Sequence, residues 1–357
     1  MTNSHAAIIL RENAPLAPYT TLGIGGAARF LVEAVTEGQV IEALDFATGR
    51  RLPVFVLGGG SNVVVSDEGF PGLVIRIALH GVEQENGNLT AAAGEDWDAI
   101  VRRCVGQGLA GIECLSGIPG TIGGTPVQNV GAYGQDVSEV IASVRALDRE
   151  KHRLVELSNE ECGFAYRTSI FNTVCRDRYI VLSVRYELRP GGEPRIAYPD
   201  LNRRFANLPG TPGLDEVREA VLLIRRSKSM VITPDDPDAR SAGSFFKNPI
   251  VPACRAAEVE EAARRCGVLI NGEIMPQYPA PGGAVKLAAA WLIEHAGFAK
   301  GYARGRVGLS SKHTLALVNR GGATAQELLD LMWDIQIAVR DRFGVELAPE
   351  PVFVGFA

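Results

Sequence analysis

The sequence predicts an α+β fold divided into three units. At 357 residues the chain exceeds one typical hydrophobic core. Helix-period and strand-period apolar patterns are mixed along it, Val40, Ile41, Leu44 and Ala47 in the first case and Tyr179 to Tyr186 in the second. The proline- and acid-rich stretch Thr233-Pro234-Asp235-Asp236-Pro237-Asp238 fits neither pattern and marks a linker.

The elements follow in order. After the helix carrying Val40 to Ala47, Pro53 leads into the apolar run Val54 to Leu57, which stops at Gly58-Gly59-Gly60. Val63-Val64-Val65 and Leu73-Val74-Ile75 read as short strands, so residues 1–90 form the first unit. A helix covers 96–106, with Trp97, Ile100, Val101 and Cys104 on one face. The stretch Leu115 to Gly134 carries glycines at 117, 120, 123, 124, 131 and 134 and prolines at 119 and 126, and is expected as a long, tightly folded loop. Strand-like alternation returns over 140–190, and the second unit spans 91–230.

Beyond the linker, Leu287, Ala288, Trp291, Leu292 and His295 predict an amphipathic helix that ends at Gly297. A second helix opens with the capping box Thr324-Ala325-Gln326-Glu327, carries Leu328, Leu331, Ile335 and Val339, and stops at Gly344. Residues 235–345 make the third unit, and 346–357 remain as a C-terminal segment.

Composition narrows the function. A hydrophobic content of 46%, a charged content of 22% and 40 glycines describe a globular, enzyme-like chain. The net charge of -5 argues against broad nucleic-acid binding, which needs a basic face to displace counterions. Cys104, Cys114, Cys162, Cys175, Cys254 and Cys266 lack zinc or redox spacing, so reduced, mostly buried thiols are expected. His5, His80, His152, His295 and His313 form no ligand cluster, His295 reads as helix packing, and no metal is expected. Met1 to Leu10 lack a signal-peptide pattern, and no apolar run approaches the ~20 residues that span a bilayer, so a cytoplasmic protein is expected.

Several segments have chemical potential. Gly58-Gly59-Gly60-Ser61-Asn62 follows a strand, so its amides can approach a pyrophosphate; a plain hairpin turn is an equal alternative. The second loop, Ser116 to Gly134, leaves many backbone groups free, as functional loops do. Gly23-Ile24-Gly25-Gly26-Ala27-Ala28 formally fits the dinucleotide fingerprint, but neither a buried strand before it nor a helix after it is expected. Ser244, in Ser241-Ala242-Gly243-Ser244-Phe245-Phe246-Lys247-Asn248-Pro249, is no nucleophile elbow; locally a turn or cap is the simpler reading, and proton donation the chemical one. Glu350 stands between Pro349 and Pro351 as a fixed acid or a solvated turn carboxylate. Arg167 presents a planar cation suited to a carboxylate, or a surface ion pair.

The order of these segments resembles the UDP-N-acetylenolpyruvoylglucosamine reductase family, specifically its type I form. The resemblance runs from Tyr19-Thr20-Thr21-Leu22-Gly23-Ile24-Gly25-Gly26 to Pro349-Glu350-Pro351-Val352-Phe353. Between them lie the loops at 57–63 and 117–134, then Gly163-Phe164-Ala165-Tyr166-Arg167-Thr168-Ser169-Ile170-Phe171, the Ser244 motif, and Val285-Lys286-Leu287-Ala288-Ala289-Ala290-Trp291-Leu292-Ile293.

The resemblance implies a two-subdomain FAD-binding fold of the vanillyl-alcohol-oxidase (PCMH) type, plus an α+β substrate-binding domain. It implies bound FAD, NADPH as hydride donor, and a small-molecule substrate, UDP-N-acetylenolpyruvoylglucosamine, reduced to UDP-N-acetylmuramate. Carried over by motif, Leu57, Gly58, Gly59, Gly60, Ser61, Asn62, Pro119, Gly120, Gly123, Gly124, Gln128, Asn129, Gly131, Ala132 and Tyr133 would hold the cofactor. Ser244 would donate a proton, and Arg167 and Glu350, the acid in its protonated form, would stabilise the enolate. Tyr198, Lys228 and Asn248 would contact the substrate or nicotinamide, and the C-terminal segment would return to the active site. Pro199 stands where the family often has glycine, and Ser229 to Arg240 is longer than the pattern. No partner other than small molecules is implied, and a monomer is expected. An oxidase of the same fold and a noncatalytic sugar-nucleotide-binding protein are the competing readings.

Overall fold

The computed structural model of the chain describes residues 7–207, 210–233, 235–270 and 272–356. Met1 to Ala6, including His5, and Pro234 of the expected linker lie outside them. The chain divides into two compact units, one of Met1–Pro15, Ala27–Gly60 and Phe70–Val231, the other of Leu16–Gly26, Ser61–Gly69 and Ile232–Ala357.

The first unit contains two larger sheets and two two-stranded ones, Gly131–Ala132 with Gln135–Asp136 and Leu109–Ala110 with Arg189–Pro190. Strands Leu10–Pro15, Ala27–Ala34, Phe70–Ile77 and Val54–Leu57 lie in that order, the first pair antiparallel and the others parallel. Leu31, Val32, Leu73, Val74 and Ile75 are fully buried, as expected of strands covered on both faces. Helix Glu37–Gly49 begins where the Thr36 hydroxyl accepts from the Gln39 amide at 3.2 Å. The second sheet is antiparallel, in the order Arg153–Ser158, Ile141–Asp148, Tyr179–Glu187, Asn88–Ala92, Val82–Glu85. Helix Trp97–Gly106 is capped by Asp96, which accepts from the Ala99 amide at 2.8 Å, and buries Trp97, Ile100, Val101 and Cys104.

One core joins both sheets: Leu73 and Ile75 share it with Trp97, Val144 and Val184. The expected division of this part into 1–90 and 91–230 therefore does not coincide with two cores. Residues 16–26 and 61–69, which fall within 1–90, belong to the other unit.

In the second unit, Ile250–Val251, Val285–Leu287 and Gln277–Pro279 form one small sheet, and Ala303–Arg304, Val307–Leu309 and Leu317–Asn319 another. Helix Ala325–Phe343 has the expected capping box at Thr324 and ends on Gly344 at φ +66°. The Asp67 carboxylate adds a second cap, accepting from the Ala325 and Gln326 amides at 2.8 and 3.0 Å. The other helix starts at Ala289 rather than Leu287, because Leu287 is paired with Gln277 in the sheet. The segment after 345 is no appendage: Val352–Val354 pairs in parallel with Val63–Val65. The motif Gly23 to Ala28 runs directly into strand Ala27–Ala34 rather than into a helix, so it does not make a dinucleotide loop.

The cysteines depart from expectation. Cys104, Cys114 and Cys162 are buried, while Cys254 and Cys266 are exposed at the two ends of the polar helix Ala253–Arg265, whose buried stripe is carried by Ala256, Val259 and Ala263. His295 stacks on Trp291 with ring centroids 4.0 Å apart, as a packing residue does.

Candidate active site

The first unit brings the two glycine loops together. A Cβ at Gly59 would lie 2.7 Å from Gly120 Cα, and one at Gly58 2.9 Å from Thr121 Oγ1, so the backbones touch where only glycine permits it. Gly120 at φ +129° turns the second loop, which is fixed by Trp97 N donating to the Gly120 carbonyl at 3.1 Å and Gly123 N to the Ala93 carbonyl at 2.9 Å. Thr121 Oγ1 and Gln128 Oε1 are buried without a hydrogen-bond partner. The glycine amides and the Thr121 hydroxyl are donors that suit a phosphate, whereas Gln128 Oε1 only accepts and suits an N–H or O–H elsewhere on a phosphate-bearing cofactor.

Arg167 sits against this second loop. It takes φ +53°, its guanidinium donates to the Asn129 and Gly131 carbonyls, and Asp136 lies 3.8 Å away. Ser169 Oγ donates to the Val127 carbonyl at 2.8 Å, so the 163–171 segment is strapped along residues 127–131. The Asn129 side chain is committed to the loop itself, donating to the Ala165 carbonyl at 2.9 Å and accepting from the Ser138 amide at 3.2 Å. Any cofactor contact it makes runs through its backbone, held at φ +41°.

Tyr133 is almost fully buried, and burial pushes its hydroxyl up to about 12. The Tyr198 ring meets it edge-on at 5.1 Å, and Lys228 Nζ lies 5.9 Å from its centroid. Pro199 occupies the first turn of helix Pro199–Phe205, where a missing N–H costs nothing, and Tyr198 is the preceding cap residue. The substitution of proline for glycine is thus accommodated. Lys228 pairs with Asp200 at 3.0 Å.

The second unit holds Ser61, Asn62, Ser244, Asn248 and Glu350. The first loop is therefore split, since Leu57 to Gly60 belong to the first unit. Glu350 N donates to the Phe245 carbonyl at 2.8 Å, Lys247 N to the Ala348 carbonyl at 2.9 Å, and Asn62 Nδ2 to the Glu350 carbonyl at 3.3 Å. The backbone of 245–247, the Glu350 segment and Asn62 are thus joined to one another. Asn248 Oδ1 accepts from the Ala289 amide at 2.9 Å as a helix cap, leaving its amide nitrogen as the group for a ligand.

The sequence reading missed Thr21. Its hydroxyl donates to the Ser241 carbonyl at 2.6 Å, and Asn319 Nδ2 donates to the neighbouring Leu22 carbonyl at 2.9 Å. Thr21 and Leu22, just before the glycine motif at 23–28, therefore tie this segment to Ser241 and Asn319. Asp200 was also missed; its place two residues after Tyr198 was the available signal.

Residues 28–158 match the family described as FAD binding domain. Residues 235–354 match the one described as UDP-N-acetylenolpyruvoylglucosamine reductase, C-terminal domain. Glycine loops in an FAD-binding part, followed by a separate C-terminal domain, define a flavin-dependent oxidoreductase. The chain is 49% identical to the UDP-N-acetylenolpyruvoylglucosamine reductase of Thermobifida fusca, over 99% of each chain. It is 50% identical to that of Saccharopolyspora erythraea, over 96% of this chain and 95% of the relative. The crystal structure of the Thermus caldophilus reductase superposes with a TM-score of 0.66 at 25% identity, covering 97% of this chain and 98% of that one. The chain belongs to the UDP-N-acetylenolpyruvoylglucosamine reductase family.

Proposed function

We infer that the chain catalyses the NADPH-dependent, FAD-mediated reduction of UDP-N-acetylenolpyruvoylglucosamine to UDP-N-acetylmuramate in peptidoglycan precursor synthesis. The observation that carries this reading is the backbone tie between Glu350 and Phe245, the residue that follows Ser244 in the family motif. FAD, once bound, supplies the substrate's methylene carbon with a hydride that it received from NADPH.

The protein's own groups do the rest. The loops at 57–60 and 119–133, with Thr121 and Gln128, hold the cofactor through amides and the two unpartnered oxygens. Ser61 and Asn62 complete the cofactor contacts. Hydride addition leaves negative charge conjugated into the substrate carboxylate, where Arg167 and a protonated Glu350 stabilise it. Ser244 Oγ–H delivers the proton to the neighbouring carbon. Tyr198, Lys228 and the Asn248 amide nitrogen contact the nucleotide and diphosphate, in the manner of the type I form.

The reading keeps two FAD-binding parts, 1–90 and 91–230, as functional halves on a shared core, with 235–345 binding substrate and 346–357 delivering Glu350. It places the chain in the cytoplasm as a monomer. The exposed thiols of Cys254 and Cys266 suit a reducing compartment, and no described helix is long and apolar enough to cross a membrane.

Purified protein is expected to be yellow, to be reduced by one equivalent of NADPH, and to consume NADPH continuously only when the enolpyruvyl substrate is present. Colourless protein that cannot be reconstituted with FAD would refute the assignment, and NADPH oxidation dependent on oxygen instead would favour the oxidase reading.

A further inference from the structure

Asp200, Lys228, Tyr198 and Tyr133 form one small cluster in the first unit. Lys228 Nζ is 3.0 Å from Asp200 Oδ2, at the end of helix Leu214–Ser227. Asp200 lies in the first turn of helix Pro199–Phe205, directly after Tyr198, and also pairs with the exposed Arg203. The Tyr198 ring packs edge-on against Tyr133, and Lys228 sits over the Tyr133 ring. The side chains of Lys228 and Asp200 are 30% and 24% exposed, so the pair is within reach of solvent and ligand.

The cation assigned to the substrate already has an anion on it. A phosphate oxygen reaching Lys228 Nζ competes with the Asp200 carboxylate: the ammonium has donors for both, but two anions held on one compact charge repel each other. Arg203 makes that exchange feasible, since it keeps Asp200 paired after Lys228 leaves. Burial alone would raise the Asp200 carboxyl, but its bond from Lys228 and the charges of Lys228 and Arg203 outweigh this and hold it below the usual carboxylate range. The competing charge is therefore present at neutral pH.

We propose that Asp200 sets the enzyme's affinity for the substrate's diphosphate by occupying Lys228 until a doubly charged group displaces it. Asp200 is then a specificity-determining residue: a diphosphate outcompetes one carboxylate, whereas a weaker anion does not. The inference rests on the reading of Lys228 as a substrate contact.

The test is a titration of the FAD-loaded protein with UDP-N-acetylglucosamine, which lacks the enolpyruvyl group and so cannot turn over, followed through the flavin spectrum. Asp200→Asn and Asp200→Ser are both expected to bind about threefold more tightly than the parent, the scale of a half-exposed ion pair. In a Lys228→Met background the same substitutions are expected to change nothing. Equal or weaker binding by both Asp200 variants overturns the proposal, as does an equal gain with and without Lys228. A parent protein that NADPH reduces but that shows no binding of the probe instead removes the substrate reading of Lys228, and this inference with it.

Discussion

The Glu350 amide donates to the Phe245 carbonyl at 2.8 Å, so the acid and the residue that follows Ser244 share one backbone contact although they lie far apart in sequence. Phe246 and Pro349 extend the contact as an antiparallel bridge. The two backbone segments that carry Ser244 and Glu350 are thus tied to each other at residues 245–247 and 348–350.

Ser244→Ala is expected to leave reduction of the flavin by NADPH nearly intact and to slow reoxidation by the enolpyruvyl substrate by about 10²- to 10⁴-fold, the usual scale of general acid catalysis. Stopped-flow measurement of the two half-reactions separates them. Equal slowing of both would remove Ser244 from the proton-transfer step.

Thr21→Val removes the donor to the Ser241 carbonyl and leaves a buried acceptor unsatisfied, at a cost of about 1–3 kcal/mol. We expect a lower melting temperature and roughly tenfold slower reoxidation, with flavin reduction unchanged and Thr21→Ser restoring both. A destabilised variant with normal reoxidation would mean that Thr21 supports the fold alone.

Gly59→Ala tests the contact between the two glycine loops. The position is outside the left-handed region, so any defect comes from the added methyl meeting Gly120 at 2.7 Å. The variant is expected to purify with less than about a tenth of the parent's flavin per chain, a loss of more than ~1.4 kcal/mol in FAD binding. Full flavin occupancy would show that the loops separate at little cost.

Asp148 carries the clearest pH dependence. Its carboxylate accepts from Arg178 Nη2 at 2.8 Å and from the Glu150 and Lys151 amides, and the Arg178 bond lowers its pKa from 3.8 to about 2 despite burial. A lowered folded-state pKa stabilises the protein above the unfolded value, and the contribution is lost as pH falls from about 4 through 2. Asp148→Asn is expected to cost about 1–3 kcal/mol at neutral pH and to flatten the acid limb of a stability profile. An unchanged acid limb in urea melts would assign the acid sensitivity to other groups.

What could be read from sequence was whatever residue type alone dictates. Glycines 58, 59 and 120 announced a close backbone approach, and Thr324 with Gly344 bounded their helix because caps are local chemistry. What could not be read depended on distant partners. Residues 16–26 and 61–69 join the second unit through tertiary packing that no local pattern records. Leu287 lies at helical spacing from Trp291, yet pairing with Gln277 decides its conformation. Asn248 carried a ligand reading, but its oxygen caps a helix whose start was misplaced. The Ser244 motif was legible only through the family pattern, since locally that serine is an ordinary turn residue.

The decisive measurement is anaerobic reduction of the FAD-loaded protein with one equivalent of NADPH, followed by UDP-N-acetylenolpyruvoylglucosamine. The flavin band is expected to bleach with NADPH and to return on addition of the substrate, with UDP-N-acetylmuramate formed in equal amount. A flavin that stays reduced until oxygen is admitted would contradict the proposed function.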